Sequence, residues 1–151
     1  MKKLIFILML CPLMMITSCK DSSNTSSVAT TKDLILDQEI EVFNAQFPVK
    51  MDNASTLVSL TRDGDVVTYE YEIDESVFDF EKFIAQKDTF RSQLENQITA
   101  TSTPNSEFYA FVSLLRDTDK ALHYLYKGIP SGKTVVIEFS NDELKKMIKD
   151  H

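Results

Sequence analysis

The chain has 151 residues, 43% apolar and 26% charged, with a net charge of −7. This length suits a single domain with its own core. The 16 Lys and Arg form no block that could neutralise phosphates, which argues against nucleic acid as a partner.

Lys2 and Lys3 make a short basic start, and residues 4–15 (LIFILMLCPLMM) form an apolar run. A spanning helix needs roughly 20 apolar residues. This run is shorter, contains Pro12, and matches the core of a secretory signal. Residues 16–19 (ITSC) follow: a branched apolar residue, two small residues and a cysteine. This segment resembles the lipobox of bacterial lipoprotein precursors, a resemblance confined to residues 1–19. It implies that residues 1–18 are a removed signal peptide and that Cys19 is acylated as the new first residue. It also implies a lipid-anchored protein of the bacterial cell envelope, at the outer membrane, with the periplasmic or surface face left open. Two or more acyl chains anchor a protein stably where one does not.

Cys11 would leave with the signal, so the mature chain would hold no free thiol, which suits an oxidising compartment. Loss of Lys2 and Lys3 from the 16 basic residues would leave 14 against 23 acids, a net −9. Residues 19–31 read as the acylated cysteine and a flexible Ser/Thr tether, with residues 20–31 spanning about 20 Å as a random coil. Lys20-Asp21 is similar to the acidic export signals of surface-displayed lipoproteins, with fewer acids than that pattern carries.

Residues 32–151 are expected to form one α+β domain. A helix is expected from Lys32, with Leu34, Ile35, Leu36, Ile40, Val42, Phe43 and Phe47 on a broad apolar stripe and Pro48 as its stop. Residues 56–61 and 66–73 (VVTYEYEI) read as a hairpin turned at Asp63-Gly64. In the second strand Val67, Tyr69, Tyr71 and Ile73 point one way, Thr68, Glu70 and Glu72 the other. Ser76 to Asp79 fits a capping box opening a helix that carries Phe80, Phe83, Ile84, Phe90, Leu94 and Ile98. Pro104 suits the first turn of another, bearing Phe108, Phe111, Val112 and Leu115. Residues 121–126 and 134–139 form a second strand pair, and residues 141–149 a last helix capped by Ser140 or Asn141. The expected architecture is a four-stranded antiparallel sheet from two β-hairpins, helices on one face, in the order α-ββ-αα-ββ-α.

Chemistry-bearing patterns are sparse. The histidines are His123, inside a strand, and His151, the final residue; no nucleophile motif accompanies them. Gly64, Gly128 and Gly132 all fall in turns, so no glycine-rich loop can hold a nucleotide. One histidine and no cysteine in the body disfavour zinc, and no calcium-loop pattern occurs. No cofactor is expected. Tyr69, Tyr71, Tyr124 and Tyr126, two in each hairpin, suit either core packing or recognition. Glu70 and Glu72 share a strand face and are the candidate recognition residues of a non-catalytic domain that binds a protein partner. Two alternatives stay open: an envelope hydrolase using paired carboxylates, and an inhibitor of a toxin or protease that steers onto a basic target.

Overall fold

The computed structural model describes residues 25–103 and 106–148. In chain order the elements are α1 (Thr25–Asn44), β1 (Val49–Lys50), β2 (Ser55–Asp63), β3 (Val66–Asp74), α2 (Phe80–Ala85), α3 (Lys87–Thr101), α4 (Glu107–Asp117), β4 (Ala121–Ile129), β5 (Thr134–Phe139) and α5 (Asn141–Met147). The strands form one mixed sheet in the order β1-β2-β3-β4-β5. The α+β class holds; the strand count and the all-antiparallel pairing do not.

Both expected hairpins form. β2 and β3 pair from Ser55 opposite Ile73 to Asp63 opposite Val66, turning at Gly64 with φ +56°, a conformation that favours glycine. β4 and β5 pair from Leu122 opposite Phe139 to Lys127 opposite Thr134. Between the hairpins the pairing is parallel, with Val66 beside Ala121 and Asp74 beside Ile129. The reason is the connection. Three helices return the chain to the end where β3 began, and there the Ala121 N–H donates to the Asp65 carbonyl at 2.8 Å. A long helical crossover permits parallel pairing, which a tight turn forbids. The fifth strand, β1, pairs Val49 with Leu57 and Lys50 with Thr56. Two residues are too few to show a period of two.

Alternation decides the core. Val67, Tyr69 and Ile73 of β3, Leu122 and Tyr124 of β4, and Val135, Ile137 and Phe139 of β5 are buried on one face. In β2, Leu57 and Leu60 both bury, although three apart, because the register shifts between Leu57 and Ser59. Buried residues of all five helices join the same cluster, among them Leu36, Phe83, Ile98, Val112 and Leu144.

The helices depart from expectation in four places. α1 begins at Thr25 rather than Lys32, so residues 25–31 have helical backbone; extending a nucleated helix adds a hydrogen bond per residue at little further cost. Only Leu36 and Ile40 of its stripe are buried, with Phe43 packed against them, while Leu34, Ile35 and Val42 stand 59%, 43% and 58% exposed. Ser76 does not cap α2. Asp74 accepts the Ser76 N–H at 2.9 Å on its side chain and those of Val77 and Phe78 on its carbonyl. This turn moves the cap to Asp79, which accepts the Lys82 N–H at 3.0 Å. The expected single helix is also broken at Gln86 into α2 and α3. Pro104 lies outside the described residues, and Ser106 caps α4 by accepting the Tyr109 N–H.

Charge fixes α1 to the sheet. Arg62 of β2 reaches Asp33 and Asp37 of α1, each at 2.9 Å. Lys120, 7% exposed, lies 2.8 Å from Asp65 and 3.5 Å from Asp33. Its ammonium holds the Asp65 carboxyl below its ordinary value.

Candidate functional site

The parallel register of β3 and β4 sets Tyr69 beside Tyr124 and Tyr71 beside Tyr126 on the helix-covered face. In-register side chains of paired strands stack readily. Ring centroids are 5.5 Å apart for Tyr69 and Tyr124, 6.4 Å for Tyr71 and Tyr124, and 5.1 Å for Tyr71 and Tyr126, with interplanar angles of 19–23°. The ladder starts in the core, where Tyr69 and Tyr124 are buried, and ends at half-buried Tyr71 and Tyr126.

A groove opens at that end. The Phe83 ring stands edge-on to Tyr126 at 5.1 Å and to Phe90 at 4.6 Å, and Phe78 meets Phe83 at 6.0 Å. Phe83 and Phe90 belong to two helices that meet at the break at Gln86, and both rings line the groove with Tyr126. Ile73, Leu94 and Ile137 complete the apolar lining, and Asp52, Ser55, Gln93 and Gln97 also line the groove. Its volume is about 240 Å³. Small-molecule sites run to roughly 300–1,000 Å³, so the guest this groove fits is of side-chain size.

The titratable groups here have fixed roles. Burial pushes the Tyr71 phenol up to about 12 and holds Tyr69, Tyr124 and Tyr126 further above their ordinary value. At neutral pH these phenols stay protonated, so none serves as a base. Asp52 is held below its ordinary value, first by the Ser55 hydroxyl and then by the Ala54 and Ser55 N–H groups, which it accepts at 2.7 Å each. It is a permanent negative charge on the groove wall.

Glu70 and Glu72 lie on the opposite face of the sheet. Glu70 is half-buried and accepts the Ser59 hydroxyl at 3.0 Å; Glu72 is exposed and in register with Lys127. His123 is on the same face, between Thr68 and Glu138. Three carboxylates, Glu75, Asp79 and Glu81, line a single cavity of about 500 Å³. Each is engaged elsewhere: Glu75 accepts the Ser131 N–H and hydroxyl, Asp79 caps α2, and Glu81 pairs with Lys133. Among the described residues no group of three His, Cys, Asp or Glu could hold a metal ion, and no helix is long and apolar enough to cross a membrane. Cys19 and His151 lie outside the described residues.

The groove residues carry no sequence signal that separates them from core. Phe83, Phe90 and Leu94 follow helical spacing, Tyr126 follows strand alternation, and Phe78 sits in a turn. A signal existed only in the density of phenylalanine between residues 78 and 90.

No protein-family model matches the chain, and no curated protein does. Three solved structures are similar to it to different degrees. A Pseudomonas aeruginosa protein inferred to be secreted aligns with a TM-score of 0.61 at 13% identity, over 82% of this chain and 100% of its own. The type II secretion pilotin AspS of Vibrio cholerae aligns at 0.50 and 8% identity, over 78% and 96%. A type II secretion pilotin of Vibrio vulnificus aligns at 0.49 and 6%, over 80% and 98%. At these identities the likeness shows the fold: an α+β domain of this pattern occurs in a protein inferred to be secreted and in a secretion-system component.

Proposed function

We propose that this chain is a lipid-anchored lipoprotein of the bacterial cell envelope, at the outer membrane, whose single domain binds a protein partner without catalysis. In this reading residues 1–18 are removed, Cys19 carries the acyl chains, and the segment after it links the anchor to the domain. The observation that carries the binding role is the aromatic groove, open, side-chain sized and walled by Phe78, Phe83, Phe90 and Tyr126. Aromatic-walled pockets of this size receive the anchor residues on which protein interfaces concentrate their energy. The fold shared with a secretion-system pilotin supports an envelope setting and a protein partner.

A second reading places the contact on the open sheet face, at Glu70 and Glu72. What favours it is that the buried residues of every described helix pack on the other face, leaving Glu72 exposed and Glu70 partly so.

Two experiments test the proposal. Wild-type chain is expected to take up labelled palmitate and partition into the detergent phase, and Cys19→Ala to do neither; label retained in Cys19→Ala removes the anchor. A photo-crosslinker at position 97, on the groove wall, is expected to trap one envelope protein through an apolar segment. No adduct, or an adduct to glycan, contradicts the binding role.

A further inference from the structure

The sequence places Ile35 and Val42 in the core, yet the fold leaves them 43% and 58% exposed. They face a second channel, about 560 Å³ in volume, between α1 and α4. Its floor is the edge-on pair of Phe43 and Phe111, centroids 5.6 Å apart, with Leu114 on the α4 side. The two helices run antiparallel, since Lys32 of α1 meets Asp117 at the end of α4 at 3.0 Å, while Phe43, later in α1, meets Phe111, earlier in α4. From Ile35 to Phe43 the α1 wall is about 12 Å long at 1.5 Å per residue, or just over two helical turns. The charged residues lining the channel are both acids, Glu39 on α1 and Glu107 on α4.

Charge selects the occupant. A second copy related by a two-fold axis would set this acid-bearing surface against the same acid-bearing surface. An anionic bilayer surface would repel both acids. Residues 20–24 (KDSSN) hold no apolar side chain to fill the channel. We propose that the channel between α1 and α4 docks an amphipathic helix of a partner protein, with apolar residues at three- and four-residue spacing and Lys or Arg at the margins of that face. Such a helix would lie as a third beside two, its apolar side chains on Phe43, Phe111 and Val42 and its cations against Glu39 and Glu107. The inference rests on the protein-binding reading and adds the chemistry of the segment bound.

The test is a photo-crosslinker at position 42 of the full-length chain in its own envelope, with the trapped segment identified by mass spectrometry. The expected adduct is a basic segment with that apolar spacing. Its yield is expected to fall roughly fivefold in a Glu39→Lys, Glu107→Lys variant, through like-charge repulsion. Both positions are exposed, and circular dichroism verifies that the variant is folded. No adduct, an adduct to lipid, to a second copy or to an acidic segment, or an unchanged yield in the charge-reversed variant would overturn it. An adduct from position 97 with none from 42 overturns this inference alone; none from either overturns the protein-binding reading as well.

Discussion

The two faces of the sheet use the same strands and opposite chemistry. On the covered face Val67, Tyr69, Leu122, Tyr124, Ile137 and Phe139 lock into one cluster with residues of all five helices. On the open face Thr68, Glu70, Glu72, His123 and Lys127 meet solvent, and Glu70 accepts the Ser59 hydroxyl. One strand writes both, because successive side chains point to opposite sides. The covered face therefore carries the stability. It also holds the groove proposed for binding, because the helical cover is incomplete where the tyrosine ladder reaches it. The core and the groove proposed for recognition lie at two ends of one aromatic layer.

The sharpest test of this contrast is truncation. Phe139 is fully buried, so Phe139→Ala is expected to cost about 3–5 kcal/mol in urea unfolding. Thr68→Ala, on the open face, is expected to stay within about 0.5 kcal/mol. Equal effects would mean that something covers the open face as well. Gly128 comes next. Expected in a turn, it lies instead within β4 on the covered face, in register with Ile73, and a Cβ there would meet the Glu75 carboxylate and stand 2.9 Å from the Phe80 ring. Gly128→Ala is expected to cost about 1–3 kcal/mol by overpacking; a neutral result would show that Glu75 swings away freely.

A smaller effect is expected where α5 joins the sheet. Ser140 and Glu143 form a capping box, and Arg91 lies 2.5 Å from Glu143. Ser140→Ala is expected to cost about 1 kcal/mol. Hydrogen bonds from Ser140, its backbone N–H first, together with Arg91, hold the Glu143 carboxyl below its ordinary 4.5. A depressed carboxyl contributes stability that is present above its unfolded value and lost as pH falls through the folded one. Stability from this site is therefore full above about pH 4.5 and declines below it. Glu143→Gln is expected to flatten that part of the acid limb, and an unchanged limb would assign it to other carboxylates. The smallest change expected is in Glu70→Lys with Glu72→Lys, within about 1 kcal/mol on an open face.

What could be read from the chain follows the range of each signal. Alternation in residues 66–73 and the hairpin turn are local, and both appear in the fold, the turn one residue later than expected, at Gly64-Asp65. Parallel pairing of β3 with β4 is set by where three helices return the chain, and no residue within either strand records that. Leu34, Ile35 and Val42 look like core by composition; their exposure depends on where α4 lies, far along the chain. The groove was hidden for the same reason. Phe83 and Phe90 become neighbours across the break at Gln86, a break with no Gly or Pro to announce it. Glu70 and Glu72 were placed on the right face by alternation, which says nothing of whether a partner meets them.

The most direct test of the binding role is quantitative capture from detergent-solubilised envelopes with the full-length chain. Wild type would be compared with Ser55→Trp, which fills the groove from β2, and with the Glu70→Lys, Glu72→Lys pair. Loss of one dominant protein partner in Ser55→Trp, with retention in the double variant, is the predicted result. Retention in Ser55→Trp with loss in the double variant would contradict it and move recognition to the open face.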